Sequence, residues 1–241
     1  YLDNAATTWP KLPAAVAAAD QFTRQCGASA GRGSYRSALV ADRWLTDARR
    51  ELARLIGAAS GHDIALCTSG THALNAALLG LIRPGDHVIT TASEHNSLLR
   101  PLKYLESHAN VRLSIVDCDC NGWSDPRDAH SFVADDTRWL AIGHASNVTG
   151  RVQDLHGWSE LARNSRAKLM VDASQTLGYI PIDVTTTGIA VLAAAGHKGL
   201  RALAGTGLLM VERSLQSQLR PFMFGGTGLA SEQLADGQAW P

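Results

Sequence analysis

A mainly parallel α/β sheet, seven-stranded in type and held between helices as three α/β/α layers, is the fold that the 241-residue sequence predicts. Three observations predict it. From residue 64 onward, short apolar runs alternate with longer stretches of helical period, the pattern of a parallel sheet covered on both faces. The runs at 169–171 and 189–195 are apolar without interruption, as strands buried on both faces are. Polar residues gather where the runs stop, which in such sheets is the carboxyl edge where ligands bind.

Taken in order, residues 2–8 form a short segment of small and polar residues ahead of Pro10 and Pro13, and 14–25 read as an Ala-rich helix. Residues 27–37 read as a loop, with two glycines and two arginines packed into 31–36. A helix is expected over about 38–57, because Val40, Trp44, Ala48, Leu52 and Ile56 repeat every four residues on one face. A strand at 64–67 leads to a helix at 71–81, apolar along Leu74, Ala77, Leu78 and Leu81. Pro84-Gly85-Asp86 turns the chain into a strand at 87–90. A helix at 96–107, a strand at 111–116, a turn at Asn121-Gly122, a helix near 126–134 and a strand at 138–143 follow. The last elements are a helix at 155–165, a strand ending at Asp172, a strand ending at Lys198 and a strand at 207–211.

Composition narrows the function classes. Formal net charge is zero and the arginines are scattered, so nothing argues for nucleic acid. No apolar run approaches the ~18 residues of a membrane span. Four cysteines (Cys26, Cys67, Cys118, Cys120) have neither disulfide-framework density nor metal-site spacing; they read as reduced thiols of a cytoplasmic protein, and no metal site is expected. The chain opens at Tyr1 and stops at Trp240-Pro241, so it reads as part of a longer protein.

Chemistry gathers at the strand ends. Lysine is rarely buried without a partner, so Lys198 at the end of an apolar run either reaches solvent or sits in a cleft. A second run delivers Asp172 and Gln175 to the same edge. A lysine nucleophile beside a buried acid is what pyridoxal 5'-phosphate (PLP) requires: the amine forms the Schiff base, and the acid keeps the pyridine nitrogen protonated. Thr68-Ser69-Gly70-Thr71 opens a helix; it is either a plain N-cap or an anion cradle. His95, after the strand at 87–90, is a surface residue or a ring that lies flat on a cofactor. Asn147 either shapes a turn or reaches a phenolic oxygen.

The ordered set resembles the large domain of a class V, fold type I PLP enzyme of the cysteine desulfurase family. The motifs that carry the resemblance are Leu2-Asp3-Asn4-Ala5-Ala6-Thr7-Thr8, Gly31-Arg32-Gly33-Ser34, Ser93-Glu94-His95-Asn96, His144-Ala145-Ser146-Asn147-Val148-Thr149-Gly150, Val171-Asp172-Ala173-Ser174-Gln175, Gly196-His197-Lys198 and Gly225-Gly226-Thr227-Gly228. The resemblance implies that Lys198 carries the cofactor and later shuttles the substrate's α proton. Asp172 pairs with the pyridine nitrogen, Gln175 bonds the phenolate oxygen with Asn147 near it, and His95 stacks on the ring and exchanges protons. Gly70, Thr71 and His197 hold the phosphate. It also implies a homodimer in which Thr227 reaches the partner's cofactor, and a substrate entrance bordered by residues 4–6 and the Arg32 loop.

On this resemblance the chain spans a PLP-binding large domain over 1–241, with residues 1–20 an arm toward a C-terminal small domain that the chain lacks. The implied reaction converts L-cysteine to L-alanine and passes sulfur to a cysteine of that absent domain, with a sulfur-acceptor protein beyond it. This chain alone would then be inactive. The alternatives are another class V enzyme (aminotransferase, epimerase or selenocysteine lyase) and a non-catalytic scaffold. Three departures stand out: Ala195 where the family has Ser or Thr, Ala202-Leu203 where it has Gly-Pro, and His72 where Glu is common.

Overall fold

The computed structural model describes residues 1–31 and 33–223. Arg32, and Thr227 with its flanking glycines, lie outside the described residues. Seven strands are present, β1 (Ile64–Cys67), β2 (His87–Thr91), β3 (Arg112–Val116), β4 (Thr137–Gly143), β5 (Lys168–Asp172), β6 (Ile189–Ala195) and β7 (Gly207–Val211). They form one sheet in the order β1-β7-β6-β5-β4-β2-β3. The neighbours from β3 through β6 pair parallel, whereas β7 runs antiparallel to both β6 and β1. The sheet is therefore mixed. Loop length explains the reversal, because parallel neighbours need a crossover of about a dozen residues or more, usually a helix. The link from β6 to β7, residues 196–206, holds no helix and is folded back on itself by Gly196 N–H to Thr206 O and Arg201 N–H to Lys198 O.

The helices are α1 (Pro13–Gln25), α2 (Arg36–Leu55), α3 (Gly70–Leu81), α4 (Asn96–His108), α5 (Leu155–Ser165), α6 (Val184–Thr187) and α7 (Arg213–Gln216). Alternation along the strands sorts the core into two layers. Leu140, Ile142, Leu169, Val171, Leu192 and Ala194 face Trp158 and Leu161 of α5, Ala53 of α2 and Val184 of α6. Trp139, Ala141, Met170, Val191 and Ala193 face α3, α4 and Leu215 of α7. The expected three layers are present. No helix among the described residues is long and apolar enough to cross a membrane.

Three expectations need correction. The segment at 126–134 is no α-helix but a short 3-10 turn, Asp128–Phe132. Within that turn only Ala129 is buried, too little to hold a short helix together. The expected stripe on α2 is buried only in part: Ile56 is fully buried and Leu52 packs against the core, whereas Trp44 and Ala48 are exposed and Ala38, Ala41 and Ala53 supply the helix's own buried residues; Trp44 meets Phe22 of α1 edge-on at 5.7 Å. Finally, β6 stops at Ala195, so Lys198 stands on the turn beyond the strand.

At the amino edge of the sheet, His87 is fully buried, its Nδ1 2.8 Å from Thr137 Oγ1 and its Nε2 2.9 Å from Ser114 Oγ. Burial, with Arg112 acting the same way, lowers its pKa from 6.5 to about 4. The neutral ring thus contributes stability that is complete above pH 6.5 and lost as pH falls toward 4. Urea unfolding at pH 7 and pH 5 should show the wild type losing on the order of 2 kcal/mol more than His87→Gln over that interval; equal losses would show that His87 stays protonatable in the fold.

Candidate active site

The carboxyl ends of β1, β2, β4, β5 and β6 meet at one cleft. The start of α3 forms one end of it. Ser69 caps the helix by accepting His72 N–H at 3.0 Å, which leaves the N–H groups of Gly70 and Thr71 without intrahelical partners. Two glycines let the backbones close up around this point. A Cβ on Gly70 would lie 2.7 Å from Ser174 Oγ and 3.2 Å from Ala195 N, and one on Gly207 would lie 2.5 Å from the Ser69 carbonyl carbon. The helix start, with its partial positive charge, is thereby held against the ends of β5, β6 and β7.

Lys198 is half-buried and lines the cleft. Its amine makes no hydrogen bond or ion pair among the described residues. Burial pulls its pKa below the usual lysine range, with Asp172 opposing. Asp172, 8% exposed, accepts Ser174 N–H at 2.9 Å on Oδ1, and its second oxygen takes no bond among the described residues. His95 is oriented by α4, since its Nδ1 accepts Ser97 N–H at 3.0 Å; a neutral ring therefore carries its proton on Nε2. Ser97 Oγ lies 3.1 Å from Thr71 Oγ1 and joins His95 to the helix start.

The other expected residues line the same cleft with different attachments. Gln175 donates from its amide to Ala5 O at 3.0 Å. His197 Nδ1 lies 3.0 Å from Thr7 Oγ1; burial, Lys198 and Lys11 lower its pKa. Asn147 is exposed on the turn after β4. Gly70, Thr71, His95, Asn147, Asp172, Gln175, His197 and Lys198 are all brought together. Thr227 lies outside the described residues.

Four contributors escaped the sequence reading. Thr8 is buried and donates to Lys198 O at 2.8 Å, its Oγ1 3.0 Å from the Tyr179 hydroxyl, while its N–H donates to His197 O. Lys11 Nζ donates to His197 O at 2.8 Å. Residues 5–12 thus strap the turn that carries Lys198. Ser174 Oγ accepts Ala195 N–H at 3.2 Å, so its own O–H remains to donate beside Ala195, which brings no hydroxyl. Glu94 reaches from the end of β2 to the end of β4. The polar Thr7-Thr8 pair was the visible signal for the strap; nothing marked Lys11.

The donor set fits PLP. An anion-receptive helix start, a partnerless amine, an open carboxylate oxygen and an oriented imidazole share one cleft too narrow at Gly70 for a side chain. Cys67 near the helix start is held as a thiol, because burial pushes its pKa up to about 11.

A three-layer α/β sheet of this kind matches the fold of PLP-dependent cysteine desulfurase structures. The chain belongs to the aminotransferase class-V family, whose family model matches residues 1–240. Members of that family are PLP-dependent in general. The chain is 36% identical over 228 residues to a protein of Methanothermobacter thermautotrophicus named "Probable cysteine desulfurase", covering 94% of this chain and 56% of that one. It superposes on the apo structure of the cysteine desulfurase from Thermococcus onnurineus with a TM-score of 0.91 at 28% identity, over 100% of this chain and 60% of that one. For the Escherichia coli cysteine desulfurase CsdA the TM-score is 0.83 at 27% identity, over 94% and 57%. The chain therefore spans less than two thirds of the length of these relatives.

Thr8→Val removes two hydrogen bonds at the strap and should lower stability by about 2 kcal/mol. It should also weaken PLP binding, followed by visible absorbance, while Thr8→Ser behaves as the wild type. Unchanged PLP affinity in Thr8→Val would show that the strap does not position Lys198.

Proposed function

We propose that the full-length protein is a PLP-dependent cysteine desulfurase, converting L-cysteine and an enzyme thiol to L-alanine and an enzyme persulfide. One observation carries the reading: the partnerless amine of Lys198 and the open carboxylate oxygen of Asp172 share a cleft with the bare helix start at Gly70. The cysteine desulfurase names of the relatives supply the substrate class.

PLP, when bound, supplies an electron sink for the electron pair released at the substrate Cα. The rest falls to this chain's own residues. Gly70 and Thr71 would hold the phosphate on backbone N–H groups, with Ser174 and His197 as further donors. Asp172 would hold a proton at the pyridine nitrogen, and Gln175 and Asn147 would serve the phenolic oxygen. Lys198, its pKa lowered by burial, anchors the cofactor and moves the proton at Cα. His95 offers Nε2 as a proton donor and acceptor at the substrate thiol.

The receiving thiol belongs to the part of the protein beyond the described residues. Cys67 is held protonated, and none of Cys26, Cys118 or Cys120 lines the cleft. By this reading the 241-residue chain is a large domain that binds PLP without completing desulfuration. The full protein is a cytoplasmic homodimer in which Thr227 reaches the partner's cofactor, and a separate acceptor protein takes the sulfur.

Full-length protein loaded with PLP and given L-cysteine should release alanine and, with a reductant, sulfide in equal amounts. PLP retained without either product would overturn the desulfurase reading in favour of an aminotransferase, epimerase or selenocysteine lyase; no PLP retained would leave the scaffold. Asp172→Asn should keep PLP bound yet slow α-proton exchange at least about a hundredfold, and near-normal exchange would remove Asp172 from the pyridine nitrogen.

A further inference from the structure

Glu94 is the one carboxyl group of the cleft besides Asp172 among its lining residues, and the mechanism above does not use it. Its side chain is half-buried, and its carboxyl bridges two strand ends. Oε2 accepts Gly143 N–H at 2.6 Å, and Oε1 lies 2.6 Å from Thr91 Oγ1. The fit at Gly143 is close, since a Cβ there would stand 2.8 Å from Glu94 Oε2. Gly143 also pairs in register with Asp172 on β5, so the two acids approach the same strand end from opposite neighbours, β2 and β5. From Thr91 a polar chain runs on, with Ser93 Oγ 3.2 Å away and in turn accepting from Gln153 Nε2 at 3.2 Å. Gln153 is fixed by donating to Gly122 O and accepting from Ser124 N–H.

We propose that Glu94 is a positioning residue of the cofactor cleft: a neutral carboxylic acid that ties the end of β2 to the end of β4 and leaves Asp172 as the single carboxylate presented to the cofactor. The inference rests on the PLP reading above. Its physical basis is that two carboxylates in one enclosed site cannot both be charged cheaply. Asp172 has an oxygen open to the cleft, whereas both Glu94 oxygens are committed to protein partners. Burial and the neighbouring Asp172 raise the Glu94 pKa to about 8, against the lowering effect of Thr91 and Gly143. The other titratable groups lining the cleft are Lys198 and His197 on the turn after β6 and His95 at the start of α4. As an acid, Glu94 donates to Thr91 Oγ1 while its carbonyl oxygen keeps Gly143 N–H. Glutamine reproduces both bonds without a charge.

The test uses full-length protein labelled with [δ-13C]glutamate, in the wild type, Glu94→Gln and Glu94→Ala. The resonance absent from Glu94→Gln should titrate near pH 8, with or without PLP. Glu94→Gln should bind PLP within about twofold of the wild type, and Glu94→Ala should bind at least about tenfold more weakly. The visible spectrum of bound PLP should lose a pH-dependent component near 8 in Glu94→Gln. A carboxyl titrating in the ordinary glutamate range, a Gln variant as damaged as Ala, or an Ala variant equal to the wild type would each overturn the proposal. Wild-type protein that fails to bind PLP would instead overturn the cofactor reading, and the carbon titration would still decide whether Glu94 is a neutral acid.

Discussion

The site depends on a close approach of four backbone segments around the start of α3. A helix start can attract an anion only if it is held where the anion's other partners are. Here that is possible because Gly70 and Gly207 present no Cβ to Ser174, Ala195 and Ser69. A methyl group at either glycine would force the helix away from the ends of β5, β6 and β7. The rest of the cleft follows from this contact: Ser174 tied to Ala195, Asp172 two residues before it, and Lys198 three residues beyond the end of β6.

Around that contact the fold spends its stability unevenly. The two core layers enclose a β6 that is buried along its whole length, so its end is rigid. The link beyond it, Gly196 to Thr206, packs only Leu200 against the core and is held by its own backbone bonds and by hydrogen bonds from the distant segment 5–12. Net hydrogen bonds contribute only ~1 kcal/mol each, enough to orient a turn but not to lock it. A lysine that must hold a cofactor and move a proton is thus carried on a strapped turn instead of within the strand.

Much of this was legible in the sequence, for physical reasons that can be named. Short apolar runs such as 189–195, alternating with stretches of helical period, read as buried strands, and in a parallel sheet their ends share an edge, so Asp172, Lys198 and His95 could be assigned to one cleft. The reversed β7 was less visible, because direction depends on the absence of a crossover helix, not on the strand's own residues. On α2 the four-residue spacing held at Leu52 and Ile56 but misled in the middle of the helix, where Ala48 is exposed and Trp44 pairs with α1 while small alanines are buried instead. The strap was hidden because Thr8 and Lys11 act on residues nearly two hundred positions away. Glu94 stood inside a motif that drew notice to His95; its own enclosure by Gly143 and Thr91 belongs to tertiary structure.

The central claim is that the amine at the end of β6 carries PLP. Borohydride reduction of the PLP-loaded full-length protein, followed by peptide mapping, tests it most directly. The account predicts one stoichiometric pyridoxyl label, on the peptide containing Lys198. A label on another lysine such as Lys11, or no label on a protein that retains PLP, would contradict it.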